Sequence, residues 1–237
     1  MDTTGSFADA GAASITSRWV DPFFFLGRAF ASPLQCGALL PSSSTLGRTM
    51  AQLVRGQSIV ELGPGSGSIT RHLLARISPE GRILALELDA AMATHLGKTL
   101  VDPRLIVQVG NASHLKDCLS TAGWEQSDCI VSGLPFQAMA PTQRHAILTA
   151  ARDSLSPSGR FIAFQYGLRL LPTFKRHFRK VKVVGPIWNN LPPAYVVVGL
   201  AEPYVSGHPT SAPKWPGEVS PLLNPDVFPN VGGLPPP

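Results

Sequence analysis

The run Ile59-Val60-Glu61-Leu62-Gly63-Pro64-Gly65-Ser66-Gly67-Ser68-Ile69-Thr70 sets an acid two residues ahead of three alternating glycines. Glycines at this spacing let a ligand approach the backbone where a Cβ would collide. The order is Gly-x-Gly-x-Gly, not the Gly-x-Gly-x-x-Gly of dinucleotide binders, whose pyrophosphate rests on a helix N-terminus. With Glu61 just upstream, the tighter loop suits a zwitterionic amino-acid moiety. Glu87 lies 20 residues beyond Gly67, at the end of the apolar run Leu84-Ala85-Leu86. A carboxylate there can accept both hydroxyls of an unphosphorylated ribose. The plainer alternative is a structural glycine turn, with Glu87 and Asp89 capping the next helix. Strand, loop, helix and second-strand acid nonetheless come in the order a binding site needs, which favours the site.

A chain of 237 residues, 44% of them hydrophobic, is long enough for one α/β domain that buries a sheet. Apolar runs at residues 58–62, 82–87, 105–109, 129–132, 160–166, 181–184 and 195–200 read as seven strands. Helix-patterned segments at 68–77, 90–100 and 141–155 alternate with them, and Pro141 suits a first helical turn. This rhythm predicts a mainly parallel sheet flanked by helices. Residues 1–17 carry no periodicity and read as a disordered lead-in. Residues 202–237 hold ten of the 23 prolines, too many for regular structure. The expected organisation is therefore 1–17 lead-in, 18–48 amphipathic membrane or lid segment, 49–201 catalytic domain and 202–237 tail.

Cys36, Cys118 and Cys129 are odd in number and lack metal-ligand spacing, which argues for reduced packing cysteines and no bound metal. The early acids Asp2 and Asp9 argue against a cleaved secretion signal. No stretch nears the roughly 20 apolar residues that span a bilayer, so any membrane contact is expected to be peripheral.

The glycine run together with Glu87 resembles the first motif and the ribose-binding acid of class I S-adenosylmethionine-dependent methyltransferases. The resemblance implies a Rossmann-like fold, S-adenosylmethionine as cofactor and S-adenosylhomocysteine as product. It sets Glu61 near the methionine end, with Gly63, Gly65 and Gly67 in the cofactor loop. Asn111 and Ala112 follow the third strand, where these enzymes usually carry an acid that accepts from the adenine amino group. Asn111 can accept through its carbonyl oxygen, or it can serve only the turn.

After the fourth strand comes Val131-Ser132-Gly133-Leu134-Pro135-Phe136, the floor beneath the sulfonium in this class. Ribosomal RNA adenine dimethylases have Asn or Asp where Ser132-Gly133 stands, and that polar anchor helps hold a flipped base. The Ser-Gly-Leu-Pro-Phe form instead resembles bacterial phospholipid N-methyltransferases, which convert phosphatidylethanolamine stepwise to phosphatidylcholine. Residues 32–43, Phe164-Gln165-Tyr166 and Asn190-Leu191-Pro192-Pro193-Ala194-Tyr195-Val196 match the same family. Together the matches cover most of residues 19–200. The resemblance implies an acceptor site of Gly133, Leu134, Pro135, Phe136, Tyr166, Asn190 and Tyr195. Ser132 is expected both beside the cofactor and, with Tyr166, in catalysis. Tyr166 is the first choice to hold the amine: a phenol can hydrogen-bond a neutral amine, and its ring face can stabilise the methylated cation. It could also simply cover the sheet end. His114 and His145 read as structural.

Trp19, Phe23, Leu26 and Phe30 recur at helical spacing between Arg18 and Arg28. Such a helix can lie among lipid head groups or pack as a lid, and the resemblance tips the balance toward lipid. Arg169, Lys175, Arg176, His177, Arg179, Lys180 and Lys182 form the densest basic run. It can be a solvated face, meet an anionic membrane or follow RNA. The expectation is a phospholipid methyltransferase on the cytoplasmic face of the cell membrane. The alternatives are an RNA adenine methyltransferase, disfavoured by Ser132-Gly133, and a non-catalytic cofactor-binding protein.

Overall fold

Continuous runs of Val, Ile and Leu become strands covered on both faces, as parallel sheets require. A computed structural model describes residues 44–190 and 192–201 of the chain. Strands β1 (Ser58–Leu62), β2 (Arg82–Glu87), β3 (Leu105–Val109), β4 (Ser127–Ser132), β5 (Leu155–Gln165), β6 (Lys180–Ile187) and β7 (Ala194–Leu200) form one sheet. Its order is β3-β2-β1-β4-β5-β7-β6. The first five strands are parallel, and β7 runs against both β5 and β6. Helices α1 (Ser44–Leu53), α2 (Thr70–Leu74), α3 (Ala90–Thr99), α4 (Leu115–Thr121), α5 (Pro141–Asp153) and α6 (Leu171–His177) flank it. This is the expected seven-stranded, mostly parallel Rossmann-like α/β architecture.

The chain winds outward from β1 to β3, then returns to lay β4 on the other side of β1. That reversal leaves a crevice beyond the carboxyl ends of β1 and β4, the place where open α/β sheets bind ligands. The glycine loop leaves β1 there, and the Ser132–Phe136 segment leaves β4.

Strand positions match the sequence reading, while several ends differ. β5 begins five residues before the expected residue 160 because Ser127 pairs with Leu155 before the register shifts to Cys129 opposite Arg160. The intervening Ser-Pro-Ser-Gly reads locally as a turn. α2 is only five residues long: the carbonyl of Pro64 accepts from Gly67 N at 2.9 Å, so the loop consumes the residues expected to open the helix. α1 runs through the boundary expected after residue 48 and buries Leu46 and Met50 on either side of it. The aromatic segment upstream, both termini and Cys36 lie outside the described residues.

At the opposite edge of the sheet, Asp128 ties β1 to β4 and β5. Its Oδ2 accepts from Gln57 N at 2.9 Å and from Ser58 N and Oγ at 3.0 Å each, and its Oδ1 accepts from Ser156 Oγ at 3.4 Å. Burial pushes this carboxyl up, but the bonds from Ser58, Gln57 and Ser156 outweigh it and hold the group below the usual range. A lowered folded-state value stabilises the fold above the ordinary carboxylate range, and the contribution is lost as pH falls through the lowered value. Asp128→Ala should cost about 2 kcal/mol, because charge-assisted bonds are lost and amides are left unpaired. Urea denaturation at pH 7 measures the loss, which should shrink in acid.

Candidate functional site

Gly63, Gly65 and Gly67 adopt φ of 68°, 54° and 77°, a region that L side chains rarely occupy. A Cβ on Gly65 would meet nothing nearer than Met92 Cε at 3.8 Å, whereas one on Gly67 would lie 2.7 Å from Leu96 Cδ1. Gly65 therefore faces open space and Gly67 faces packing. The loop and the β4 exit meet backbone to backbone. Gly133 N donates to Leu62 O at 2.9 Å, and a Cβ on Gly133 would stand 2.7 Å from Gly63 O.

Beneath the loop sits Glu61, 1% exposed. Neither of its carboxylate oxygens has a hydrogen-bond partner, nor does the fully buried Thr70 hydroxyl. Burial pushes its carboxyl up to about 7; the nearby Thr70 hydroxyl pulls it down, and the charge of Glu87 adds to the rise. An orphaned carboxylate is unstable by itself, and a cationic group would satisfy it.

Glu87 is also buried, and it shapes the loop while keeping an acceptor position on Oε2. Its Oε2 accepts from Gly65 N at 3.1 Å, and its Oε1 from Leu88 N at 2.9 Å and Asp89 N at 3.2 Å. Asp89, not Glu87, caps the next helix, accepting from Ala91 N and Met92 N. One β-strand over, Asn111 Oδ1 accepts from Ser113 N at 3.0 Å and Ser113 Oγ at 2.9 Å. Its carbonyl oxygen, expected to receive adenine, is engaged in capping the turn at Ala112–His114. Sequence reasoning missed the two neighbours best suited to flank a purine: Leu88 and Val109, each 52% exposed, at the ends of paired strands β2 and β3. An aliphatic residue directly after the strand-end acid was the available signal.

Two residues expected at the β4 exit lie buried in the structure. Ser132 is fully buried, and its Oγ accepts from Leu134 N at 3.2 Å. In this arrangement the hydroxyl holds the turn. Phe136 was expected to face the acceptor, yet it is also fully buried, edge-on to Phe161 of β5 at 6.1 Å and Phe174 of α6 at 5.8 Å. The 3-10 turn at Phe136–Ala138 directs its ring into the core. Leu134 and Pro135 stay half-buried at the crevice, where Leu134 Cδ2 packs on Gly63.

On the far side, Tyr166 leaves β5 half-buried and lies edge-on to Phe164 at 5.6 Å. Burial pushes its phenol up, and a hydrogen bond with the Asn190 side chain opposes the rise. Asn190 is buried, and its Nδ2 donates to Pro192 O at 2.8 Å. Tyr195 lies opposite Gln165 in the β5–β7 register. Tyr166, Asn190 and Tyr195 therefore share one edge of the sheet. The basic run does not: Arg169 follows Tyr166 at that edge, whereas Lys180 pairs with Leu200 at the opposite end of β6. His145 meets His177 at 2.9 Å, pinning α5 to α6.

A methyltransferase-domain family model matches residues 59–159, the stretch holding the glycine loop, Glu87 and the β4 exit. The ornithine lipid N-methyltransferase of Singulisphaera acidiphila is 31% identical over 191 residues, 78% of this chain and 99% of that protein. The chain belongs to the class I S-adenosylmethionine-dependent methyltransferases, in the family of that relative. A ribosomal RNA small subunit methyltransferase A of Burkholderia ambifaria matches this methyltransferase less fully, with 35% identity over 98 residues, 40% of this chain and 36% of that protein. The Streptomyces achromogenes O-methyltransferase TomG, solved with S-adenosylmethionine, shares the fold at a TM-score of 0.57 and 14% identity, covering 76% of this chain and 90% of that one. Among the described residues of the methyltransferase, no group of three or more His, Cys, Asp or Glu could hold a metal ion, and no helix is long and apolar enough to cross a membrane.

Proposed function

We propose that this methyltransferase methylates the head-group amine of a membrane amino-lipid, carrying phosphatidylethanolamine through its mono- and dimethyl forms toward phosphatidylcholine. It works bound peripherally at the cytoplasmic face of the cell membrane. The observation that carries the reading is the alignment with a lipid N-methyltransferase over 99% of that protein's length. That relative's own substrate favours ornithine lipid as the second acceptor to consider.

The residues at the crevice fit S-adenosylmethionine. Glu61, Gly63, Gly65, Gly67, Glu87 and the Asn111–Ala112 turn would hold it. When bound, it supplies a methyl group on a sulfonium sulfur whose positive charge disappears on transfer. The unpartnered carboxylate of Glu61 supplies the counter-charge that an α-ammonium needs. Open space over Gly65 admits a ligand to the backbone. Glu87 offers a sugar hydroxyl the acceptor position left on Oε2, since a carboxylate has about four such positions. Leu88 and Val109 give an adenine ring its apolar flanks.

At the other edge, Tyr166 receives the amine. Its raised pKa keeps the phenol protonated at neutral pH, so it orients the neutral amine by hydrogen bonding and is not the base that deprotonates an ammonium. Asn190 fixes the phenol, and Pro192 O fixes Asn190. Tyr166→Phe should lower lipid turnover about tenfold, in the range of lost oriented hydrogen bonds, while S-adenosylhomocysteine binding stays unchanged by calorimetry. Wild-type turnover in Tyr166→Phe and Tyr166→Ala would remove this residue from the mechanism.

The function is tested by incubating the chain and labelled S-adenosylmethionine with vesicles of phosphatidylethanolamine, vesicles of ornithine lipid, or RNA. Label is expected in the phosphatidylethanolamine extract. Label in ornithine lipid alone changes the acceptor and keeps the lipid reading, and label in RNA alone overturns both.

A further inference from the structure

The turn joining β6 to β7 leaves an indole in water. Asn190 N donates to Ile187 O at 3.3 Å, so Trp188 and Asn189 form the tip of a β-turn, and Trp188 is 75% exposed. The base of the turn is fixed, because Asn190 is buried and bonded to Pro192 O. β5 and β6 run in the same direction on either side of β7. The turn after β5 therefore leaves the sheet at the same edge, about 10 Å away across two strand spacings. That second turn carries Leu168, 38% exposed, followed by exposed Arg169. An isolated surface hydrophobe needs no explanation. Two at one edge, a Trp on one turn and a Leu followed by an Arg on the other, form a set suited to a membrane interface, where an amphipathic ring sits among head groups.

Charge specifies the surface further. Residues 154–201, which build β5, α6, β6 and β7, contain seven Lys or Arg and no Asp or Glu. This stretch is rich in cations, Arg169 among them at the edge bearing Tyr166, while the buried carboxylates Glu61 and Glu87 belong to the β1–β2 half.

We propose that Trp188 and Leu168 enter the head-group layer of an anionic phospholipid bilayer, with Arg169 meeting lipid phosphates, so that the edge carrying Tyr166 is seated on the membrane. The inference rests on the lipid reading above and assigns the docking surface to two turns of the folded sheet. It also divides the basic run: Arg169 belongs to the contact, while Arg179 and Lys180, at the other end of β6, do not.

The test is flotation of the full chain with vesicles of phosphatidylethanolamine and phosphatidylglycerol. Trp188→Ala should lower the partition coefficient about tenfold, as loss of a partly inserted indole does, and Arg179→Gln should change it far less than Arg169→Gln. Binding of S-adenosylhomocysteine should be unchanged in all three, which verifies folding. Bromine-labelled lipids should quench the fluorescence of the wild type more than that of Trp188→Phe. Wild-type partition by Trp188→Ala, quenching equal in wild type and Trp188→Phe, or retention on RNA in place of vesicles each overturns the proposal. Vesicle binding that depends on Trp188 without label entering any lipid would leave the docking surface standing and sink the lipid-methylating reading. Label entering lipid with no dependence on Trp188 would do the reverse.

Discussion

Glu87→Ala is expected to weaken S-adenosylmethionine binding about a hundredfold, measured by calorimetry, and to abolish turnover at ordinary cofactor concentrations. Two losses combine. The first is direct, since the carboxylate is the group proposed to accept from a sugar hydroxyl, and a hydrogen bond to a charged partner contributes about 1.5–3 kcal/mol. The second acts through the backbone: Gly65 N, Leu88 N and Asp89 N all donate to this carboxylate, so its removal frees the middle of the glycine loop. Each factor of ten corresponds to about 1.4 kcal/mol, so one charged bond plus partial loss of loop order accounts for the hundredfold change. Glu87→Gln separates the two, because an amide oxygen can still accept from Gly65 N. It should recover part of the affinity. Binding by Glu87→Ala equal to that of the wild type would refute the assignment of the crevice.

The cofactor half of this site was legible because glycine encodes backbone geometry directly. Positive φ at Gly63, Gly65 and Gly67 follows from residue type, and strand-end acids follow from alternating apolar runs. The acceptor half was legible only as a location. Phe136 and Ser132 read as pocket residues because their segment resembles the floor beneath the sulfonium, and nothing local discloses that a 3-10 turn carries the ring toward Phe161 and Phe174. Trp188 carried no sequence expectation, and only the structure shows that its indole is exposed. The basic run at 169–182 looked like one patch because sequence proximity is blind to topology. An eight-residue strand, β6, carries the chain from the end near Lys180 to the edge bearing Trp188. Asn111 illustrates a subtler limit: sequence left two uses of its carbonyl oxygen open, and the structure adds a local donor, Ser113, that meets it in the turn.

Glu61→Gln should produce opposite effects on stability and on binding, both dependent on pH. In the free protein, burial raises the Glu61 carboxyl to about 7 from an ordinary value of 4.5. The folded state therefore binds more protons than the unfolded one between those values, and stability falls as pH rises through that window. At pH 8 the penalty is full, about 3 kcal/mol from a shift of this size; at pH 4 it is absent. A neutral amide of the same shape avoids the ionic penalty, so Glu61→Gln should be more stable than wild type at pH 8 by up to that amount, and no more stable at pH 4. Urea denaturation at the two pH values reads the difference. Cofactor binding runs the other way. An ammonium group needs the ionised carboxylate, so wild-type affinity should climb with pH by up to about tenfold per unit below 7 and level off above it. Glu61→Gln should bind about a hundredfold more weakly at pH 8, as expected for loss of a buried charge pair, and should show no such climb. A wild-type affinity that is flat between pH 5.5 and 7.5, with Glu61→Gln binding normally, would show that the buried carboxylate does not meet the cofactor. On the proposed reading, the unpaired acid that weakens the free fold would be paired when the ligand's positive charge is present.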